Sequence, residues 1–131
     1  METSESIKVG LNDEGDFIVS EEYTAEYIGS GSLEVLATPA MIAFIERVAH
    51  NLLEKHLPEG YSSVGALVVI HHLAPTPAGG KVHVQCEVID VDERRVTFDV
   101  QVWDEVGKIG EGSHQRVIID VKRFLQRLHS R

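Results

Sequence analysis

Hydrophobic and polar residues alternate with a period of two over much of the C-terminal half of the chain. "KVHVQCEVIDV" (81–91) puts Val82, Val84, Cys86 and Val88 on one side, and "RVTFDVQVWDE" (95–105) does the same with Val96, Phe98, Val100 and Val102. Such a pattern predicts strands with one covered face. "VGALVVIHHL" (64–73) reads as a further strand, "IGEGSHQRVIID" (109–120) as a last strand and "VKRFLQRL" as a closing helix. The stretches between strands, "PTPAGG", "DVDERR" and "DEVG", are short, so consecutive strands are expected to pair antiparallel.

Between Thr38 and Leu53 the period changes. Met41, Ile42, Ile45, Val48, Ala49, Leu52 and Leu53 recur at spacings of three and four, the signature of a helix with a broad apolar face. Thr38 is placed to cap its N-terminus, Pro39 suits the first helical position, and "LPEGY" (57–61) stops it. Burying such side chains is worth roughly 1.5–3 kcal/mol each, enough to hold the helix on a sheet. Ahead of it, residues 1–15 are polar and expected to be loosely held, leaving one domain over 16–131. The mixed pattern of Phe17 to Ile28 is expected as a strand, and "GSGS" (29–32) as a flexible loop.

A strand, one long apolar helix and four more strands predict an α+β fold in which a curled antiparallel sheet wraps the helix, the hotdog arrangement. Such a single layer leaves surface to be covered, and dimerisation is the expected remedy.

Composition narrows the function. The 131 residues suit one core, and 43% apolar with 25% charged residues is ordinary for a globular domain. Twelve Lys+Arg against 21 Asp+Glu give a formal charge of −9, which argues against nucleic acid and anionic membranes as partners. Local arginines can still hold a small anionic ligand. Cys86 is the single cysteine, so no intrachain disulfide forms, which fits a reducing cytoplasm. No signal peptide or spanning segment is expected.

Several residues suit chemistry, each with a plainer reading. The Thr38 hydroxyl lies at a helix N-terminus, where free N–H groups favour negative charge; it fits a nucleophile or oxyanion site, or simply a cap. Glu46 sits at the edge of the apolar face. Partial desolvation there would raise its pKa and suit a general base; otherwise it is a boundary glutamate or pairs with His50. His71 and His72 face opposite sides of a regular strand, so only one can reach a pocket on the helix side. Arg116 can clamp a carbonyl or phosphate oxygen, or lie exposed on its strand. Glu46, His50, His71 and His72 do not make a convincing metal set, because adjacent strand histidines diverge. Cys86 is expected in the core. Trp103 lies off its strand's apolar side. His56, His83 and His114 are expected to be surface or structural residues.

"LATPAMIAFIERVA", "GALVVIHHLAPTPAGG" and "GEGSHQRVIID", in that order and spacing, resemble the hotdog thioesterases typified by fluoroacetyl-CoA thioesterase, from about Tyr23 to Asp120. The resemblance implies a catalytic set of Thr38, Glu46 and His72, with Gly65 and Arg116 contacting the acyl thioester. It implies hydrolysis of a short acyl-CoA to free acid and CoA, with no cofactor beyond the substrate's own CoA. It also implies a cytoplasmic homodimer, or dimer of dimers, with sites at the interface. Residues 28–37, "IGSGSLEVLA", lack the aromatic gate of the fluoroacetyl specialist, so a fluorinated substrate is not expected. The alternative is a non-catalytic hotdog module that binds acyl-CoA or only dimerises. A dehydratase on the same fold would need an Asp–His pair of which there is no sign.

Overall fold

The computed structural model describes residues 6–131. Strand β1 (Asn12–Ile18) leads through a 3-10 turn (Glu21–Tyr23) and a one-turn helix α1 (Ala25–Ile28) to the long helix α2 (Thr38–Glu54). Then come β2 (Tyr61–His72), β3 (Lys81–Asp92), β4 (Arg95–Asp104), β5 (Lys108–Asp120) and α3 (Val121–His129). The later strands and both long helices fall where the periodicity puts them.

All neighbouring strands pair antiparallel in the order β1-β3-β4-β5-β2. The edge strands are four spacings apart, about 19 Å, whereas a helix is about 10–12 Å across. Yet α2 packs against both β1 and β2, at opposite edges, as well as β3. The sheet must therefore curl around the helix, as the hotdog arrangement requires.

The period-two faces of β3 and β4 are fully buried against α2, which contributes Ala40, Met41, Phe44, Ile45, Val48, Ala49, Leu52 and Leu53. Ile42 is only partly buried, and Phe44 takes the centre instead. Phe17 stacks on the Phe44 ring at 4.4 Å, and Tyr23 meets it edge-on at 4.8 Å. Gly110 on β5 leaves room for the Met41 thioether, which would lie 2.8 Å from any Cβ there.

Several expectations are corrected. The first strand is Asn12–Ile18, not 17–28: after Ile18 the chain needs turns to reach α2, and Thr24 caps α1 by accepting from the Tyr27 N–H. Residues 1–5 of the expected loose segment lie outside the described residues. In the remainder Ile7 is buried in the core and residues 12–15 form strand, because β3 would otherwise lack a neighbour on that side. "GSGS" begins as the left-handed cap of α1 at Gly29, with φ of 89°, and the Ser30 and Gly31 N–H groups return to the Ala25 carbonyl. "PTPAGG" is no hairpin: β2 pairs with β5, and the chain crosses to the far side to start β3. Among the described residues no helix is long and apolar enough to cross a membrane.

Candidate active site

Thr38 is the first residue of α2 and Pro39 the second; the cap position belongs to Ala37, and Thr38 does not cap. Its side chain is free for another contact. The Thr38 Oγ1 lies 2.8 Å from the Nδ1 of His72, the last residue of β2. Backbone bonds from the Leu36 N–H to the Thr76 carbonyl and from the Ala78 N–H to the Glu34 carbonyl tie the approach to α2 to the segment after β2. The hydroxyl and imidazole are thereby held from both sides.

Burial lowers the pKa of His72, against the opposing effect of a backbone contact with Ala74. The ring is therefore neutral near pH 7 and can accept the threonine proton at Nδ1. Its Nε2 is buried with no hydrogen-bond partner among the described residues. Thr38 and His72 wall a cleft of about 350 Å³ with Leu36, Ala37, Ala74 and Pro75. His71 points away and is exposed.

Glu46, Gly65 and Arg116 form a second group. A Cβ on Gly65 would stand 2.6 Å from the Glu46 Oε2, so the missing side chain is the space the carboxylate uses. Arg116 Nη1 is 3.9 Å from that oxygen. The Arg116 side chain is buried. Its Nε donates to Ser63 Oγ at 2.8 Å and its Nη2 to the Ser63 carbonyl at 3.1 Å. His114, fully buried, sets the remaining nitrogen. Its Nδ1 faces the Leu67 carbonyl at 2.8 Å, which can only accept, so the ring is protonated there. Nε2 is left to accept from Arg116 Nη1 at 3.3 Å. Burial lowers the pKa of His114, and the Arg116 charge adds to it.

A strand irregularity makes this grouping possible. Gly65 and His72 are seven residues apart and would face opposite sides of a regular strand. The register of β2 against β5 shifts between Gly65 and Leu67, leaving one extra residue. Such a bulge reverses the alternation, so both Gly65 and His72 face α2.

The two groups do not meet within one chain. Thr38 and Glu46 are eight residues apart on α2, a rise of about 12 Å. Glu46 keeps 43% of its side chain exposed, so the expected desolvation is not reached in a single subunit. Its charged neighbour is Arg116; His50 instead lies 3.9 Å from Glu54. Among the described residues no three His, Cys, Asp or Glu side chains gather where a metal ion could be held. His114, expected to be a surface or structural residue, is fully buried, and Ser63 was not among the expected site residues. The signal for His114 was present, since His114 and Arg116 sit at i and i+2 and share a strand face.

A curled antiparallel sheet around one helix, with a hydroxyl–imidazole pair at the helix N-terminus, defines the class of hotdog-fold thioesterases. Residues 19–122 match the family model described as fluoroacetyl-CoA-specific thioesterase. The fluoroacetyl-CoA thioesterase of Streptantibioticus cattleyicolor is 30% identical over 126 residues, covering 92% of this chain and 91% of that protein. A mutant fluoroacetyl-CoA thioesterase solved with acetyl-CoA superposes with a TM-score of 0.88 at 28% identity, covering 95% of this chain and 98% of that one. A hot-dog-like protein from Thermanaerovibrio acidaminovorans gives 0.91 at 27% identity, covering 99% and 96%. The chain belongs to the fluoroacetyl-CoA-specific thioesterase family and is a thioester hydrolase.

Proposed function

We propose that the protein hydrolyses a short acyl-CoA to the free acid and CoA, as a homodimer with composite sites. The observation that carries this reading is the 2.8 Å contact between Thr38 Oγ1 and the neutral His72 at the wall of a cleft. His72 Nδ1 takes the hydroxyl proton as Oγ1 attacks the thioester carbon. The C–S bond breaks, the imidazolium returns its proton to the departing thiolate, and the acyl group rests on Thr38. Water then attacks the acyl carbon while a carboxylate takes its proton; the C–O bond to Thr38 breaks, and the carboxylate passes that proton to the departing oxygen, releasing the acid and restoring the hydroxyl.

The carboxylate in this scheme is the partner subunit's Glu46. Strand β2 is a sheet edge, and its Leu67 and Val69 are 46% and 47% exposed. Such an apolar edge invites a second copy. Antiparallel pairing with the partner's β2 reverses the order of the two groups along the strand. It draws the partner's Glu46, Gly65 and Arg116 toward Thr38 and His72. Arg116 then faces the acyl carbonyl from its buried clamp, and Gly65 leaves room for the carboxylate and the thioester together.

The reading uses no metal or further cofactor. Residues 28–37, which lead into Thr38, hold no aromatic side chain, and this supports an unfluorinated short acyl group. A single buried thiol fits a cytoplasmic setting. The test is a panel of acyl-CoA substrates from acetyl to decanoyl, with release of CoA followed by a thiol reagent. Turnover is expected for the short members. No hydrolysis of any member, with Glu46→Ala still binding acyl-CoA like wild type, would leave a non-catalytic binding module.

A further inference from the structure

A CoA ester carries a diphosphate and a 3′-phosphate, roughly −4 in all near neutral pH. This protein carries −9 itself. Long-range repulsion must therefore be overcome by a local group of cations. At least half of the twelve basic side chains are already engaged. Lys55, Lys81 and Lys108 each face a carboxylate, Arg47 lies over the Phe17 ring, Arg95 bonds Gln115, and Arg116 is buried.

Helix α3 and the residues after it are different. Arg123, Arg127 and Arg131 recur every fourth position, so they line one face, and all three are exposed. Among the described residues none of the three is ion-paired to a carboxylate. They wall a cleft of about 330 Å³ together with Arg94, over an apolar floor that includes Phe124 and Leu128. The carboxylate in that wall, Asp120, is already accepting from the Arg123 N–H.

Guanidinium groups above an aromatic and aliphatic floor are the chemistry that holds a nucleoside phosphate: forked hydrogen bonds for phosphate oxygens and a flat apolar surface for a base. We infer that the Arg123–Arg127–Arg131 face of α3 binds the phosphorylated nucleotide end of the acyl-CoA substrate. The inference rests on the composite site proposed above. The Val121 N–H bonds the Gly60 carbonyl, so α3 starts beside the beginning of β2. In the antiparallel dimer the partner's α3 lies beyond its own Gly65, on the side past His72. Four strand residues, about 13 Å, separate Gly65 from Tyr61. The pantetheine arm is comparable to about four extended residues, roughly 13–14 Å, and bridges that distance.

The test compares one acyl group on two carriers: CoA, and N-acetylcysteamine, which has no phosphate. The dimer carrying Arg123→Ala, Arg127→Ala and Arg131→Ala together is expected to raise KM for acyl-CoA about tenfold or more. Its kinetics with the acyl-N-acetylcysteamine ester should stay within about twofold of wild type. The triple Arg→Lys variant, which keeps the charges, should recover part of the loss. Added salt should raise the wild-type KM for acyl-CoA and have less effect on the alanine variant. Equal changes on both carriers, or no change with acyl-CoA, would overturn the inference. So would binding of the wild type, but not the alanine variant, to anionic phospholipid vesicles with KM for acyl-CoA unmoved. Wild type that cleaves neither ester would instead sink the thioesterase site itself, separately from the arginine face.

Discussion

The Oε2 of Glu46 and the α-carbon of Gly65 share one small volume: a methyl group on that carbon would sit 2.6 Å from the oxygen. The carboxylate comes from the middle of α2 and the glycine from an edge strand, and the strand bulge turns the glycine toward the helix. Gly65 has no left-handed φ, so its backbone does not need glycine; the neighbouring carboxylate does.

Gly65→Ala is therefore expected to fold and to lose activity. The carboxylate ends a flexible side chain that can swing away, so the stability cost should stay within about 1 kcal/mol. A displacement on the order of 1 Å of a reacting group can reduce turnover about 100-fold. Urea denaturation and steady-state kinetics on the same preparation separate the two effects. An unfolded variant, or one with unchanged kcat, would contradict the assignment.

His72→Asn should lower kcat/KM by about 100- to 10,000-fold, the usual range for removing a general base. Thr38→Val should cause a comparable loss, whereas Thr38→Ser keeps the hydroxyl and should keep turnover. Rapid quench with radiolabelled acyl-CoA should trap label on Thr38 in the wild type and none in Thr38→Val. Because burial holds His72 below the ordinary histidine value of 6.5, the active neutral form persists into mildly acid solution. The acid limb of kcat/KM should lie below pH 6.5, and it should vanish in His72→Asn.

Stability should respond to pH through histidines of opposite sign. His83 bridges Asp16 at 2.7 Å and Glu14 at 2.6 Å across the β1–β3 pair, and hydrogen bonds to those carboxylates raise its pKa. Its contribution is full below 6.5 and lost as pH rises through the raised value. His72 and His114, with lowered values, contribute above 6.5 and lose their contribution as pH falls through their folded values. His83→Gln should thus cost stability at pH 6 and little at pH 9. The side chain is 37% exposed and solvent-screened, so the cost should not exceed about 1 kcal/mol. Denaturant midpoints of both proteins at the two pH values measure it.

Cys86 is fully buried and its thiol lies 3.7 Å from the Ile45 carbonyl. Burial pushes its pKa up to about 12, so almost no thiolate is present at pH 8. The native protein should resist thiol reagents and label rapidly in denaturant. Labelling at the diffusive rate of a free thiol under native conditions would contradict this packing.

The sequence made the local architecture legible. The alternation of Val82 to Val88 and of Val96 to Val102 identified both strands and their buried faces, because side-chain direction follows directly from period two. The spacing from Met41 to Leu53 identified α2 for a similar reason. Strand order was not legible, since β2 pairs with β5 through contacts far apart in the chain and "PTPAGG" looks like any hairpin turn. Thr38 looked like a cap because hydroxyl residues before Pro usually are; its engagement by His72 depends on the fold. Alternation also failed at the bulge, where one extra residue decides which way Gly65 faces. The role of His114 was half legible: its i, i+2 spacing puts it on the strand face of Arg116, but burial of the pair and the orientation of the guanidinium by the ring depend on the fold.

The pairing of β2 with β5 has a consequence for biosynthesis. Every ladder partner of β2 lies between Gly110 and Asp120, so the strand that ends in His72 waits for the last quarter of the chain. Closing so long a loop is entropically costly and tends to be slow. A ribosome-bound fragment ending at residue 107 already contains both Thr38 and His72, yet has nothing to hold β2 in the sheet. Hydrolytic competence should therefore arise only once residues 110–120 have emerged from the ribosome and paired with β2.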